Sequence, residues 1–395
     1  MDADFRQANR LRRIRQLTGS LAMKKLLLAS MFSALASAAF AADVPAPVYK
    51  APPPTVVLGS GFYASIDGSW QQVNLPDYAL GFHFLTAPPA NDAGTLSLRQ
   101  RLDGYVVHGT LGYFLPTPKT IFGANTRLEI GALYGHASGS ASGTIVNAGP
   151  NSVATRQNLD GTGPNGGYIC NAGQICTING NSSAIYYNWQ VNGKVAGDYR
   201  LGAVWVTPSL AVFGGNTRNN QTAAQVLGLS NVAGRSATYN ANTSLRWDDV
   251  GARAGLDLTV DVNSWAAVGI GGWAGFASRR ASLSGSDVVV DTLIGFLNGA
   301  STVSGLGANA TPFLANAEAG LAFKPFPALI VRGFVGLNYD SRVPGIATPT
   351  FAQFAGARTP ASISFGSQTS YYAGGGLTWA FGPTSNLPRI VALSR

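Results

Sequence analysis

The sequence predicts an all-β fold: a closed antiparallel transmembrane β-barrel of about ten strands, with eight strands as the alternative count. Three observations carry this prediction. First, only 11% of the 395 residues are charged, which is under half of the roughly one quarter that is usual in soluble domains. Second, the chain contains ten runs in which apolar and polar residues alternate. Third, the connections between these runs alternate between short and long.

Residues 1–41 form, on this interpretation, an N-terminal extension and a secretory signal peptide. Lys24 and Lys25 precede an apolar run, and residues 39–41 (Ala-Phe-Ala) offer small side chains at the two positions that a signal peptidase recognises. We therefore expect export through a cleaved signal peptide. The segment supplies +5 of the formal net charge of +9, so the body of the chain lacks the basic surface that nucleic acid requires, and no nucleic-acid partner is expected.

A proline-rich segment at residues 42–60 follows and predicts an extended periplasmic tether. The barrel is expected at residues 61–381, with a C-terminal tail at 382–395. Its strands are predicted near residues 61–73, 102–115, 121–137, 184–201, 204–216, 244–260, 265–278, 312–324, 328–340 and 368–381.

The run at residues 184–201 shows the alternation most clearly. Ile185 and Trp189 share one face of the predicted strand, whereas Asn188 and Lys194 share the other. One face is therefore apolar and the other polar, which is the pattern of a strand that lies between lipid and a polar lumen. The second and seventh runs have an ambiguous phase.

The connections separate two alternative folds, a membrane barrel and a soluble periplasmic sandwich. Four of them, at residues 116–120, 202–203, 261–264 and 325–327, have five residues or fewer, and those between them have 27 to 46. A sandwich has no reason to sort its connections in this way. Short periplasmic turns and long extracellular loops are the plan of bacterial outer-membrane barrels. Aromatic residues near the ends of the runs fit interfacial girdles: Phe62, Trp70, Tyr113, Phe114, Trp265, Phe323, Tyr339, Tyr371 and Trp379.

The two ends of the predicted body carry a family resemblance. Residues 41–53 (Ala-Ala-Asp-Val-Pro-Ala-Pro-Val-Tyr-Lys-Ala-Pro-Pro), followed by Gly-Phe-Tyr-Ala at 61–64, resemble the porin-like outer-membrane β-barrel proteins of alphaproteobacteria. At the other end, Gly376, Trp379 and Phe381 resemble the terminal-strand signal by which the barrel-assembly machinery recognises such proteins. The resemblance implies a location in the bacterial outer membrane, a β-barrel and no cofactor.

Motifs that would indicate chemistry are mostly missing. The sequence contains no Walker A motif, no His-Glu-x-x-His and no Gly-x-Ser-x-Gly. His83, His108 and His136 are interpreted as hydrogen-bonded polar residues rather than general bases. We therefore predict no catalytic residue, no cofactor site, no metal site and no enzyme activity.

Two cysteines lie in the longest predicted loop. Cys170 and Cys176 are five residues apart in a compartment that favours oxidation. Metal binding would need more thiol or imidazole ligands than this loop contains. The sequence therefore predicts a local disulfide.

Thirteen charged residues fall on the inward phase of the runs. The basic ones are Arg127, Lys194, Arg200, Arg253, Lys324 and Arg332, and the acidic ones are Asp67, Glu129, Asp198, Asp249, Asp257, Glu318 and Asp340. So few strands leave a narrow lumen. In such a lumen a near balance of charge favours ion pairs, because an unpaired buried charge is costly.

The function predicted from these features is that of a porin-like integral outer-membrane barrel with a narrow, charge-balanced lumen. It would serve envelope structure and surface interaction through its loops. The expected partners are outer-membrane lipid, lipopolysaccharide and an extracellular ligand bound by the loops. A passive diffusion pore for small hydrophilic solutes is the alternative function, and a membrane-embedded hydrolase is a third.

Overall fold

The computed structural model describes residues 61–85, 92–115, 125–147, 152–157, 159–161, 168–170, 175–229, 236–292, 298–347 and 360–381. The predicted signal peptide, tether and C-terminal tail lie outside the described residues. The strands are β1 (Gly61–Tyr78), β2 (Gly81–Leu85), β3 (Asp92–Thr95), β4 (Leu98–Phe114), β5 (Asn125–Asn147), β6 (Ser152–Gln157), β7 (Tyr168–Cys170), β8 (Cys176–Leu201), β9 (Val204–Leu229), β10 (Ser236–Asp261), β11 (Ala266–Asp291), β12 (Gly299–Ala310), β13 (Phe313–Phe326), β14 (Leu329–Ala347) and β15 (Ser362–Phe381). No helix among these residues has the length and apolar character that a membrane crossing requires.

Eleven of the strands close into one antiparallel ring with ten positions. The order around it is β1, β4, β5, β8, β9, β10, β11, then β12 and β13 together, then β14 and β15. β12 and β13 share a position because β12 pairs with residues 279–289 of β11 and β13 pairs with residues 266–276. The ring closes where β1 pairs with β15, from Phe62 opposite Phe381 to Gln72 opposite Tyr371. The predicted antiparallel barrel of about ten strands is confirmed.

One end of the barrel has short turns, and we call it the lower end. Gly202 and Ala203 join β8 to β9, residues 262–265 join β10 to β11, and Pro327 and Ala328 join β13 to β14. Each lies at or within one residue of a predicted turn. The turn predicted at residues 116–120 lies outside the described residues.

The wall strands extend further towards the upper end than the sequence analysis predicted. β8, β9, β10 and β11 each contain 26 residues, whereas a bilayer needs only about 9–11. Only residues 230–235 separate β9 from β10. The additional residues of β9 place Asn219, Gln221 and Gln225 inward, and their outward neighbours are polar or small as well, so the polarity pattern there is typical of a loop.

A second, four-stranded antiparallel sheet comes from the two connections that the sequence analysis treated as loops. Its order is β3, β2, β6, β7, and we call it the inner sheet. Its residues Phe82, Phe84 and Ala154 form one buried cluster with wall residues such as Tyr239 and Leu283. Because Tyr239 and Leu283 face the lumen, the inner sheet fills the upper part of the barrel.

The outer surface of the lower part is a band of exposed apolar side chains. The side chain of Ile130 is 72% exposed, and those of Leu111 and Val250 are exposed to a similar extent. Aromatic residues border the band on both sides, and in β1 they are Phe62 and Trp70. The stretch from Phe62 to Trp70 contains nine residues, which is within the roughly 9–11 that a tilted strand needs to cross a bilayer. The barrel is therefore built to span a membrane.

The girdles themselves are ring contacts between neighbouring strands. At the lower border, Phe62 lies 4.6 Å from Tyr113, and Trp265 stacks on Phe323 at 5.8 Å between ring centroids. At the upper border, Phe313 contacts Tyr339. Phe114 was predicted in a girdle, and that expectation was wrong: its side chain is buried in the lumen, because β4 turns even-numbered residues inward.

Candidate functional site

The lumen is the candidate functional site, and its lowest layer is apolar. Tyr63, Phe114, Ala322, Ile330 and Ala380 form a small buried cluster near the short turns. Tyr63 links this layer to the next one, because its hydroxyl donates a hydrogen bond to Glu129 at 2.5 Å.

Above it lies a group of four paired charges, Arg127, Glu129, Lys194 and Asp198, which we call the lower charge cluster. Arg127 is 1% exposed and donates to Glu129 at 2.6 Å and to Asp198 at 2.5 Å. Lys194 lies 2.5 Å from the second oxygen of Glu129. β5 supplies the first two residues and β8 the other two, at neighbouring register positions. The cluster carries two charges of each sign and is neutral as a unit.

A second group of paired charges comes from β1, β4 and β14. Arg332 donates to both carboxylate oxygens of Asp67, and His108 approaches the same carboxylate at 3.5 Å. Gly376 is opposite Asp67 in the register, and a Cβ atom at that position would lie 1.8 Å from the Asp67 carboxylate. The glycine of the predicted terminal-strand signal therefore has a packing role: it makes room for this ion pair.

Glu318 and Asp257 are also buried in the lumen. The Tyr372 hydroxyl donates to Glu318 at 2.8 Å, and it accepts a hydrogen bond from Asn316 at 2.7 Å. Lys324 is half-buried near the short turns.

Higher in the lumen, Arg279 holds two carboxylates. It donates to both oxygens of Asp249 at 2.7 Å and lies 2.8 Å from Asp340. Its remaining nitrogen donates to the Arg342 carbonyl at 2.6 Å. The sequence analysis missed Arg279, because the predicted strand ended at residue 278 and its phase was ambiguous.

One of the thirteen predicted inward charges needs correction, and at another the expected ion pair is missing. Arg200 was expected in the lumen, but it is exposed and donates to the Gly202 carbonyl at 3.1 Å. β8 ends one residue later, at Leu201. A side chain on the inward side of the strand therefore no longer points into the lumen at this position. Arg253 does face the lumen, but it makes no ion pair with any described residue.

A cavity of about 220 Å³ lies in the lumen between these charges and the inner sheet. Amide and hydroxyl side chains contribute much of its lining, among them Ser69, Asn188, Gln190 and Asn192. Arg253 and the Arg279 ion pairs also border it. The cavity has room for a small molecule.

The inner sheet is held to the wall by hydrogen bonds as well as by its apolar core. The Gln225 side chain accepts from the Phe82 amide and donates to the Leu80 carbonyl, both at 2.8 Å. Gln225 therefore binds β2 as a neighbouring strand would. On the other side, Asp287 accepts from the Leu159 amide at 3.0 Å.

A disulfide closes the end of the inner sheet. Cys170, the last residue of β7, is bonded to Cys176, the first residue of β8, and both are fully buried. The predicted local disulfide is confirmed.

The three histidines have different surroundings. His83 is buried within the inner sheet, and His108 is buried in the lumen. His136 packs on the outer surface between the rings of Tyr105 and Tyr187. In the described part of the chain, no three His, Cys, Asp or Glu residues are grouped as metal ligands.

No protein-family model matches the chain, and no curated protein matches it. Among solved structures, it is similar to the outer membrane protease OmpT from Escherichia coli, with 10% identity, coverage of 82% of this chain and 98% of that chain, and a TM-score of 0.37. It is also similar to a FadL homologue from Pseudomonas aeruginosa (10% identity, 82% and 91% coverage, TM-score 0.24) and to the translocator domain of the autotransporter NalP from Neisseria meningitidis (11% identity, 81% and 88% coverage, TM-score 0.28).

Proposed function

We propose that this protein is an integral barrel of the bacterial outer membrane whose lumen is closed at rest, and that it serves envelope structure and surface interaction. The exposed apolar band with its aromatic borders supports the membrane location, since its strands present about as many residues as a tilted strand needs to cross the bilayer. Ring closure supports it too, because lipid tolerates no unpaired strand edge.

The observation that carries the closed state is that the lumen is filled at two separate heights. The lower charge cluster and the Asp67–Arg332 pair cross its lower part. The inner sheet fills its upper part. A solute would have to displace both in order to pass.

A passive diffusion pore for small hydrophilic solutes is the second candidate. The cavity between the two filled layers favours it, because its amide and hydroxyl lining would hydrate a polar solute. This function would require the inner sheet and the lower charges to move aside together.

The proposal includes no catalytic role. Two histidines are buried and the third is stacked between aromatic rings, so none of them is presented to a substrate at the upper end. We also propose that Gly376, Trp379 and Phe381 act as the assembly signal, with lipid, lipopolysaccharide and an extracellular ligand as the partners of the mature barrel.

Membrane location and the closed lumen can be tested separately. The purified protein should migrate differently on a denaturing gel before and after boiling, because folded barrels resist detergent, and it should fractionate with the outer membrane. Identical migration would contradict the membrane barrel. In planar bilayers the refolded protein should give no openings, or openings of roughly sub-nanosiemens size with weak ion selectivity. Stable, large and strongly selective openings would favour the diffusion pore instead.

A further inference from the structure

One buried charge in the lumen is not matched by an ion pair. Arg253 on β10 is 8% exposed and borders the central cavity. Among the described residues no carboxylate lies within ion-pairing distance of it. Its guanidinium carbon lies instead 4.4 Å from the centroid of the Trp273 ring and 5.6 Å from that of Phe213. Such contacts orient a guanidinium but do not neutralise it.

The neighbouring positions on both adjacent strands are small. Arg253 is opposite Ala211 of β9 and Gly275 of β11. A Cβ atom at Gly275 would lie 2.8 Å from the Cβ atom of Arg253. The glycine therefore lets β11 pack closely against the base of this side chain, and the two aromatic rings contact its guanidinium.

The other charges at this height are already engaged with one another. Arg279 uses its donors on Asp249, Asp340 and the Arg342 carbonyl. This group carries one positive and two negative charges, so together with Arg253 the charge is balanced. A ligand with a single negative charge would give this part of the lumen a net charge of −1, whereas a dianion would give it a net charge of −2, which is more costly to bury.

We propose that the central cavity is a binding site for a small organic monocarboxylate whose carboxylate pairs with the Arg253 guanidinium. The planar guanidinium can donate two parallel hydrogen bonds to a carboxylate. Phe213, Val106 and Leu133 also border the cavity and provide apolar contact for the body of the ligand. Asn188 and Gln190, on β8, also border the cavity and supply amide groups.

This inference goes beyond the proposed function and does not depend on it. Binding in the cavity requires no flow through the barrel, so it can be measured whether or not the lumen conducts. Refolding with the ligand present removes any dependence on entry through the filled ends.

Radiolabelled benzoate is a suitable probe. The full chain would be refolded into detergent micelles with benzoate and studied by equilibrium dialysis, with protein-free micelles as the background. Folding of each variant would be checked by its heat-dependent gel migration. We expect saturable binding of about one benzoate per chain, and at least tenfold weaker binding of the neutral analogue benzamide.

Variants locate the site. Arg253→Met should weaken benzoate binding at least tenfold. Arg253→Lys should weaken it less, because lysine keeps the positive charge but cannot donate two parallel hydrogen bonds from a planar group. Arg246→Met is the matched control: Arg246 lies on the same strand, but its side chain is 60% exposed on the outer wall. This control should bind as the wild type does.

Three results would overturn the proposal: no saturable benzoate binding to the wild type, equal binding of benzoate and benzamide, or an equal effect of Arg253→Met and Arg246→Met. Displacement of benzoate by inorganic phosphate at a lower concentration than by unlabelled benzoate would overturn the monocarboxylate assignment. If Arg253→Met did not fold, Arg253→Lys and the benzamide comparison would decide the question.

Discussion

The lower and upper parts of the lumen are closed by opposite kinds of chemistry. The lower part is filled by charged side chains in ion pairs, such as Arg127 with Glu129. The upper part is filled by an apolar core in which Phe82 and Tyr239 contact each other. Both parts are lined by the same wall strands.

β10 lines both the lower and the upper part of the lumen. All its inward residues have odd numbers, from Ala237 to Thr259. Below Trp247 the inward residues include Asp249, Arg253 and Asp257, and outward residues such as Val250 and Leu256 are apolar. Above Trp247 the order is reversed, since Tyr239 and Leu245 point inward and Asn240 points outward.

The reversal follows from what surrounds the barrel at each height. Where lipid contacts the wall, the outward face must be apolar, and the polar residues of an alternating strand are left for the lumen. Where water contacts the wall, the outward face can be polar, and the apolar residues can form a core around the inner sheet. The lower part of the barrel therefore has the residue pattern of a membrane protein, and the upper part has the pattern of a soluble protein.

The comparison can be tested most strongly in the lower part. Arg127→Met would leave Glu129 and Asp198 short of their shared partner in a buried site. We expect a loss of about 3–5 kcal/mol in the free energy of unfolding, measured by urea titration with tryptophan fluorescence. The exposed control Arg246→Met should change it by less than about 0.5 kcal/mol. Equal effects of the two variants would show that the lower charges are not coupled.

In the upper part, truncation of an apolar side chain should have the larger effect. Phe82 is 0% exposed, so Phe82→Ala should destabilise the inner sheet by about 3 kcal/mol and leave the wall intact. Limited proteolysis should then cut the inner sheet faster, while heat-dependent gel migration stays unchanged. Phe326→Ala, at an exposed phenylalanine near the short turns, is the control. Loss of gel migration in Phe82→Ala would mean that the wall itself depends on the upper core.

A smaller effect is expected from the hydrogen bonds that hold β2. Gln225→Met removes the acceptor of the Phe82 amide and the donor to the Leu80 carbonyl, at a cost of about 1–3 kcal/mol. Hydrogen exchange at the Phe82 amide should become faster. Val226→Met, at the next residue on the outer face, should leave this rate unchanged. If the two variants exchanged alike, Gln225 would not anchor the inner sheet.

An effect of similar size is expected from the disulfide. Its ring is short, so reduction should cost the upper part about 2 kcal/mol in the chain-entropy model and the lower part nothing. Cys170 and Cys176 should not react with thiol reagents until they are reduced. Labelling of the native, unreduced protein would contradict this prediction.

The lower part was predictable from the sequence because its alternation is strong. Val250 and Leu256 opposite Asp249 and Arg253 fix both the strand and its phase, and the short turn at Gly202 and Ala203 fixes its end. The disulfide was predictable from spacing and compartment. These features are local, and each depends on residues that are close together in the chain.

The upper part was not predictable in the same way. Near Trp247 the apolar residues of β10 change from the outward to the inward side. The alternation is interrupted there, so the sequence of a continuous strand resembles that of a strand that ends at this point. The inner sheet depends on contacts between distant segments, such as Gln225 with Leu80. The missing partner of Arg253 could not be predicted either, because pairing depends on which inward charges reach one another across the lumen.

The central claim is that the two layers close the lumen in series, and planar-bilayer conductance of four proteins tests it directly. The first is the wild type. The second has β2 and β6 replaced by glycine-serine segments. The third carries Arg127→Ser, Glu129→Ser, Asp67→Ser and Arg332→Ser, which removes both groups of ion pairs in the lower part and leaves Lys194 and Asp198 to balance each other. The fourth combines both sets of changes. We predict no openings above roughly sub-nanosiemens size from the first three and clearly larger openings from the fourth. Conductance as large in either single-layer variant as in the combined one would contradict closure at two heights.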